Sequence, residues 1–84
     1  MVLPIWIIWD DAPGGNVEHI GTHNVAVAEV EEVIRAYYDV REPSRGHPDR
    51  WVVQGLTAAR RYLVVVFELV DDVGSVYPIT AFEP

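Results

Sequence analysis

The chain has 84 residues, 50% of them hydrophobic, with neither cysteine nor lysine. That size allows one small domain over residues 1–84, with too much apolar content for a disordered segment. The missing cysteines exclude a disulfide framework and thiolate metal sites, and a formal net charge of −7 argues against a general polyanion binder.

The charge is unevenly distributed. Residues 1–34 hold six carboxylates and no cation, and residues 62–84 hold four more. All six cations are arginines between Arg35 and Arg61, where three carboxylates leave a local charge of +3. A cationic middle between anionic ends can hold a phosphate locally. No apolar run is long enough to span a membrane, and Asp10 with Asp11 cuts the first one short. The start also lacks the basic flank of a secretory signal. A cytoplasmic protein without a membrane partner is therefore expected.

Leu3 to Trp9 is a short apolar run with Pro4 near its start, as an edge strand tolerates. Residues 10–15 are turn chemistry. Asn16 to His23 is expected to form a short helix with Asn16 as its N-cap, and Asn24 fits a left-handed C-cap. Val25 to Tyr37 is the strongest helix. Val27, Val30, Val33 and Ile34 recur at three- and four-residue steps, leaving Glu29, Glu31 and Glu32 for water. Tyr38 to Arg41 is expected to start a strand, and Glu42 to Asp49 to be a loop rich in breakers.

Trp51 to Gln54 reads as a strand, returned by a turn over residues 55–59. The segment Arg60 to Val70 follows, and the fold is organised around it. Its β-branched Val64, Val65 and Val66 favour a pleated surface, and it is apolar on both alternations, interrupted by Glu68. Such a strand is expected at the centre of a sheet and covered on both faces. Residues 71–74 make a hairpin turn into a last strand, Ser75 to Phe82. Pro78 assigns that strand to an edge or to a bulge. The expected class is α+β: an N-terminal strand, two helices, then a three- to four-stranded antiparallel sheet with the helices on one face.

Several short motifs, in order, carry a resemblance. They are Trp9-Asp10; Asn16, Ile20 and His23 followed by Asn24-Val25; the Glu29 to Val33 run; and Arg50, Gly55, Leu56 and Thr57. Arg61 with Leu63 to Val66, and Ile79-Thr80-Ala81, complete the set. Together they resemble the BrnT family, toxins of bacterial toxin–antitoxin pairs with a RelE-like ribonuclease fold. The resemblance implies metal-independent RNA cleavage, no cofactor, and neutralisation by a protein antitoxin. Two departures stand beside it. Asn24 replaces the family's usual glycine, and Phe82-Glu83-Pro84 follows where the family continues into a basic helix. The chain is also acidic where the family is basic. These departures keep open the alternative of a non-catalytic protein-interaction module on the same fold.

Such cleavage needs an activated 2′-hydroxyl, a stabilised phosphorane and a protonated leaving oxygen. Arginine suits the second task, because its planar fork gives bidentate contacts to phosphate oxygens. Arg50 and Arg61 match the family's positions and are the expected catalytic pair, brought to one rim by the turn through Thr57. His47 is the candidate proton shuttle, since histidine is the side chain that titrates near neutrality. Arg45, Thr57 and Arg60 are candidate RNA contacts. No metal is expected: His19 and His23 have helical spacing but lack a third ligand. A homodimer or an antitoxin complex is expected through an edge strand, Leu3 to Trp9 or Ser75 to Phe82.

Overall fold

The computed structural model of the chain describes residues 6–72 and 74–84, so Leu3 to Ile5 of the first expected strand and Val73 of the last turn lie outside the described residues. The elements are β1 (Trp6–Ile7), α1 (Asn16–Thr22), α2 (Val27–Tyr37), a single 3-10 turn (Tyr38–Val40), β2 (Glu42–Pro43), β3 (Arg50–Leu56), β4 (Tyr62–Leu69) and β5 (Ser75–Phe82). The strands form one five-stranded sheet in the order β1-β5-β4-β3-β2. β1 runs parallel to β5, and every other neighbouring pair is antiparallel. This is the expected α+β class, with β4 central.

The core lies between the helices and one face of the sheet. Leu63, Val65 and Phe67 of β4 are fully buried with Val53 of β3 and Val76 and Ala81 of β5. Val30, Val33 and Ile34 of α2 and Ile20 of α1 close over them. The amphipathic spacing that predicts α2 is thus the spacing that fills the core. Tyr38 caps the layer, its ring stacked on Phe67 at 5.9 Å between centroids.

The expectation that β4 is covered on both faces is overturned. Its other alternation, Tyr62, Val64, Val66 and Glu68, remains partly or fully exposed. The reason is the supply of covering elements. Helices of 7 and 11 residues, at about 1.5 Å per residue, can roof one face of a five-stranded sheet and not two.

Local corrections follow from tertiary contacts. Gly15, and not Asn16, is the N-cap of α1. Asn16 is instead buried, and its amide ties three segments together: Nδ2 donates to Ile8 O and Pro78 O, while Oδ1 accepts from Asp10 N. Residues 38–40 wind into the 3-10 turn, and the expected loop begins with the edge strand β2. β3 starts at Arg50 and keeps Gly55 and Leu56 in the strand, because they pair with Leu63 and Tyr62. Asn24 does adopt the left-handed conformation, at φ 62°.

β5 is not an edge strand along its length, for β1 pairs with Ser75 and Val76. Pro78 sits beside a β-bulge, where the register against β4 shifts between Val66 and Phe67. The bulge accommodates a residue without an N–H to donate.

The three α2 glutamates are anchors. Glu29 accepts from Ala26 N and from Arg61, Glu31 from the Trp9 indole at 2.8 Å, and Glu32 from Ala58 N at 2.8 Å. Each ties α2 to a backbone or side-chain donor that would otherwise depend on solvent.

Candidate functional site

The β3–β4 hairpin positions Arg50, Thr57, Arg60 and Arg61, and the loop leading into it carries Arg45 and His47. Its register pairs Arg50 with Glu68 at one end and Leu56 with Tyr62 at the other. Arg61 directly precedes Tyr62, so Arg50 and Arg61 lie at opposite ends of the hairpin. Six residue steps at about 3.3 Å put roughly 20 Å between those ends. The expected shared rim does not form. Consecutive antiparallel strands begin at opposite ends, and both arginines stand at strand beginnings.

The turn end is tightly built. Thr57 is 4% exposed; its N–H donates to Arg61 O at 2.9 Å and its carbonyl accepts from Arg60 N at 2.9 Å. Its hydroxyl accepts from Arg61 N at 3.1 Å. Arg60 takes a left-handed conformation, φ 70°, to close the turn. Thr57 is therefore engaged in shaping the turn and offers no exposed surface to a ligand. The Arg60 side chain projects to solvent.

Arg61 is held from two sides. Its Nη1 donates to Glu29 Oε1 at 2.9 Å and its Nη2 to Glu83 Oε1 at 3.2 Å. The Glu83 hydrogen bond, partly opposed by desolvation and reinforced by Glu29, raises the Arg61 pKa above its ordinary value. The guanidinium thus stays charged, with its bidentate capacity divided between two carboxylates. It borders an open cleft of about 400 Å³, lined also by Gly21, Asn24, Val25, Ala26 and Glu29.

The other end is looser. Arg50 Nε lies 3.7 Å from Glu68 Oε2, with both side chains partly exposed. Such a pair contributes about 0–1 kcal/mol. His47 and Arg45 are exposed in the loop just before Arg50, whose N–H donates to His47 O at 3.0 Å. The six candidates therefore fall into two groups: Arg45, His47 and Arg50 at one end, and Thr57, Arg60 and Arg61 at the other. Neither group by itself assembles base, acid and phosphorane-stabilising cation around one point.

His19 on α1 and His23 at its C-cap are exposed neighbours, with ring centroids 5.3 Å apart. His19 Nε2 contacts Thr80 Oγ1 at 3.2 Å, and the His23 ring lies 6.5 Å from that of Phe82. Among the described residues no group of three His, Cys, Asp or Glu side chains is arranged to hold a metal, and no helix is long and apolar enough to cross a membrane.

Sequence reasoning missed Arg41. Its guanidinium lies over the Tyr38 ring at 4.1 Å and the Trp51 ring at 5.0 Å, and Nη1 donates to Tyr38 O. The aromatic faces attract the cation and fasten the 3-10 turn to β3. The available signal was a cation three residues after one aromatic, but Trp51 is close only in three dimensions.

Comparison of the chain with family models, with curated proteins and with solved structures finds no match. The functional reading consequently rests on the arrangement above.

Proposed function

We propose that this chain is a non-catalytic protein-interaction module built on an α+β scaffold that resembles the BrnT toxins, and that it works by binding a protein partner of the antitoxin kind. One observation carries this reading: the cations expected to act together are divided between opposite ends of the β3–β4 hairpin, and Arg61 is already satisfied by Glu29 and Glu83. A phosphorane-stabilising arginine must be free to meet its charge as the charge develops. One held by two carboxylates must first break those contacts.

Expression of the chain alone in bacteria tests the proposal. Normal growth and intact RNA at high soluble yield are expected. Growth arrest with RNA decay, relieved by Arg50→Ala or Arg61→Ala, would replace it with the toxin reading.

The ribonuclease toxin remains the second reading, favoured by exposed Arg45 and His47 in the loop beside the half-buried Arg50. If that corner meets RNA, binding should occur at low salt and fade as salt rises, because each phosphate contact releases counterions. It should weaken with Arg50→Ala or Arg45→Ala and be unaffected by Arg61→Ala. A titration of single-stranded RNA at two salt concentrations separates these outcomes.

A further inference from the structure

The sheet face turned away from the helices supports an inference that holds under either reading above. Cross-strand partners share a face, so the register defines it: Glu42–Val52–Val66–Thr80 form one row, Gln54–Val64–Phe82 a second, and Arg50–Glu68–Tyr77 a third. Leu56 and Tyr62 continue it at the turn end, 45% and 42% exposed, and Trp6 stands at the β1 edge, 71% exposed. We propose that this face is a self-association surface, on which a second copy of the chain packs sheet against sheet.

Three observations identify the occupant. The first is charge. The described strands hold only two acidic residues, Glu42 and Glu68, in a chain of net charge −7, and Glu68 is paired with Arg50. A basic partner would find almost nothing to pair with here. A second copy of this face brings little net charge against it, Arg50 and Glu68 being paired and Glu42 lying at the β2 edge, and face-to-face packing keeps the acidic helices of both copies on the outside.

The second observation is that several polar groups on this face are bonded within the chain, while the exposed Glu42 stands at the β2 edge. Tyr62 donates to Gln54 Oε1 at 2.9 Å, Arg50 pairs with Glu68, and Thr80 Oγ1 lies 3.2 Å from His19 Nε2. Covering them with an apolar surface leaves few donors or acceptors orphaned, which is the main cost of burying such a face.

The third is extent and shape. Three strands of 7 or 8 residues and two of 2 residues, at about 3.3 Å per residue and about 4.8 Å apart, give a plan area of roughly 400 Å². The accessible surface of such a corrugated face exceeds its plan area and approaches the roughly 600–800 Å² per partner of specific interfaces. Val52, Val64 and Val66 make an apolar centre for sheet-on-sheet packing. The edges are less suited to association. β1 and β2 pair over two residues each, and short edge strands offer little backbone to a partner.

Sedimentation equilibrium of the whole chain over a range of concentrations, at low and high salt, tests the proposal. The expected species is twice the 9.5 kDa chain mass, and its association should tighten with salt as repulsion between the acidic copies is screened. Val66→Glu at the centre of the face and Leu56→Glu at its rim should each shift the equilibrium at least tenfold toward monomer, with unchanged circular dichroism. Should Val66→Glu unfold, Leu56→Glu alone carries the test. A wild-type chain that stays monomeric at millimolar concentration overturns the proposal, as does a dimer that persists in the folded Leu56→Glu variant. A dimer that weakens as salt rises overturns it too. The growth assay decides the nuclease question separately, so failure of one result leaves the other intact.

Discussion

Val65 and Val66 are adjacent, identical in chemistry and part of the same central strand, yet they occupy different environments. Val65 is wholly buried beneath the helices, whereas Val66 lies on the open face of the sheet. Alternation sends them to opposite sides. Which side receives the helices is decided elsewhere, by the apolar stripe of α2 and by Asn16, which fastens α1 to β5. An apolar run therefore reports that a strand is central and leaves open whether both of its faces are covered within the same chain.

Four substitutions sharpen the contrast, each measured by urea denaturation. Phe67→Ala on the covered face should have the largest effect, costing about 3–5 kcal/mol. It removes a fully buried ring and the stacking partner of Tyr38, and it leaves a cavity the sheet cannot close. A loss below 1 kcal/mol would mean that the covered face is as loosely packed as the open one.

Gly55→Ala comes next. A Cβ at this position would run into the Tyr37 ring, which lies against the Gly55 backbone. Overpacking of this kind costs about 1–3 kcal/mol, and shortening the obstacle with Tyr37→Leu should recover part of it. Additive losses in the double variant would show that the ring and the glycine are not in contact.

Asn16→Ala tests the edge between the two faces. It would leave Ile8 O, Pro78 O and Asp10 N without their partner, costing about 1–3 kcal/mol in total where water cannot replace it. Hydrogen exchange should then quicken in α1 and β5 before it does in β3. A uniform change would instead indicate that α1 is not separately fastened.

The smallest effect is expected on the open face. Val66→Thr should change the stability of the dissociated chain by less than about 0.5 kcal/mol, as for most surface substitutions. The same change at Val65 buries a hydroxyl with no partner and should cost about 1–3 kcal/mol. Equal losses at the two positions would mean that something covers the outer face even in the monomer.

The two ends of the β3–β4 hairpin differ in a similar way. At the turn end Arg61 is fixed by Glu29 and Glu83, and at the loop end Arg50 keeps a longer contact with Glu68. Their separation was legible in the sequence, because a strand, a turn and an antiparallel strand place the two beginnings apart. The carboxylates that hold Arg61 were not. Glu29 is 32 residues away and Glu83 22 residues away, and nothing local marks either as its partner.

What the sequence determined alone is what short-range physics can specify. β-branched crowding made Tyr62 to Leu69 a strand within the expected Arg60 to Val70, three- and four-residue spacing made Val27 to Tyr37 a helix, and Asn24 at a helix end took the left-handed turn. Pro78 marked an irregularity that became a bulge. Tertiary structure decided what depends on distant partners: the covered face of β4, the conversion of three glutamates into anchors, the placing of Arg41 over two rings, and the holding of Arg61 by Glu29 and Glu83. Propensity and periodicity act within a few residues, whereas these contacts join segments whose meeting is set by the packing of the whole chain.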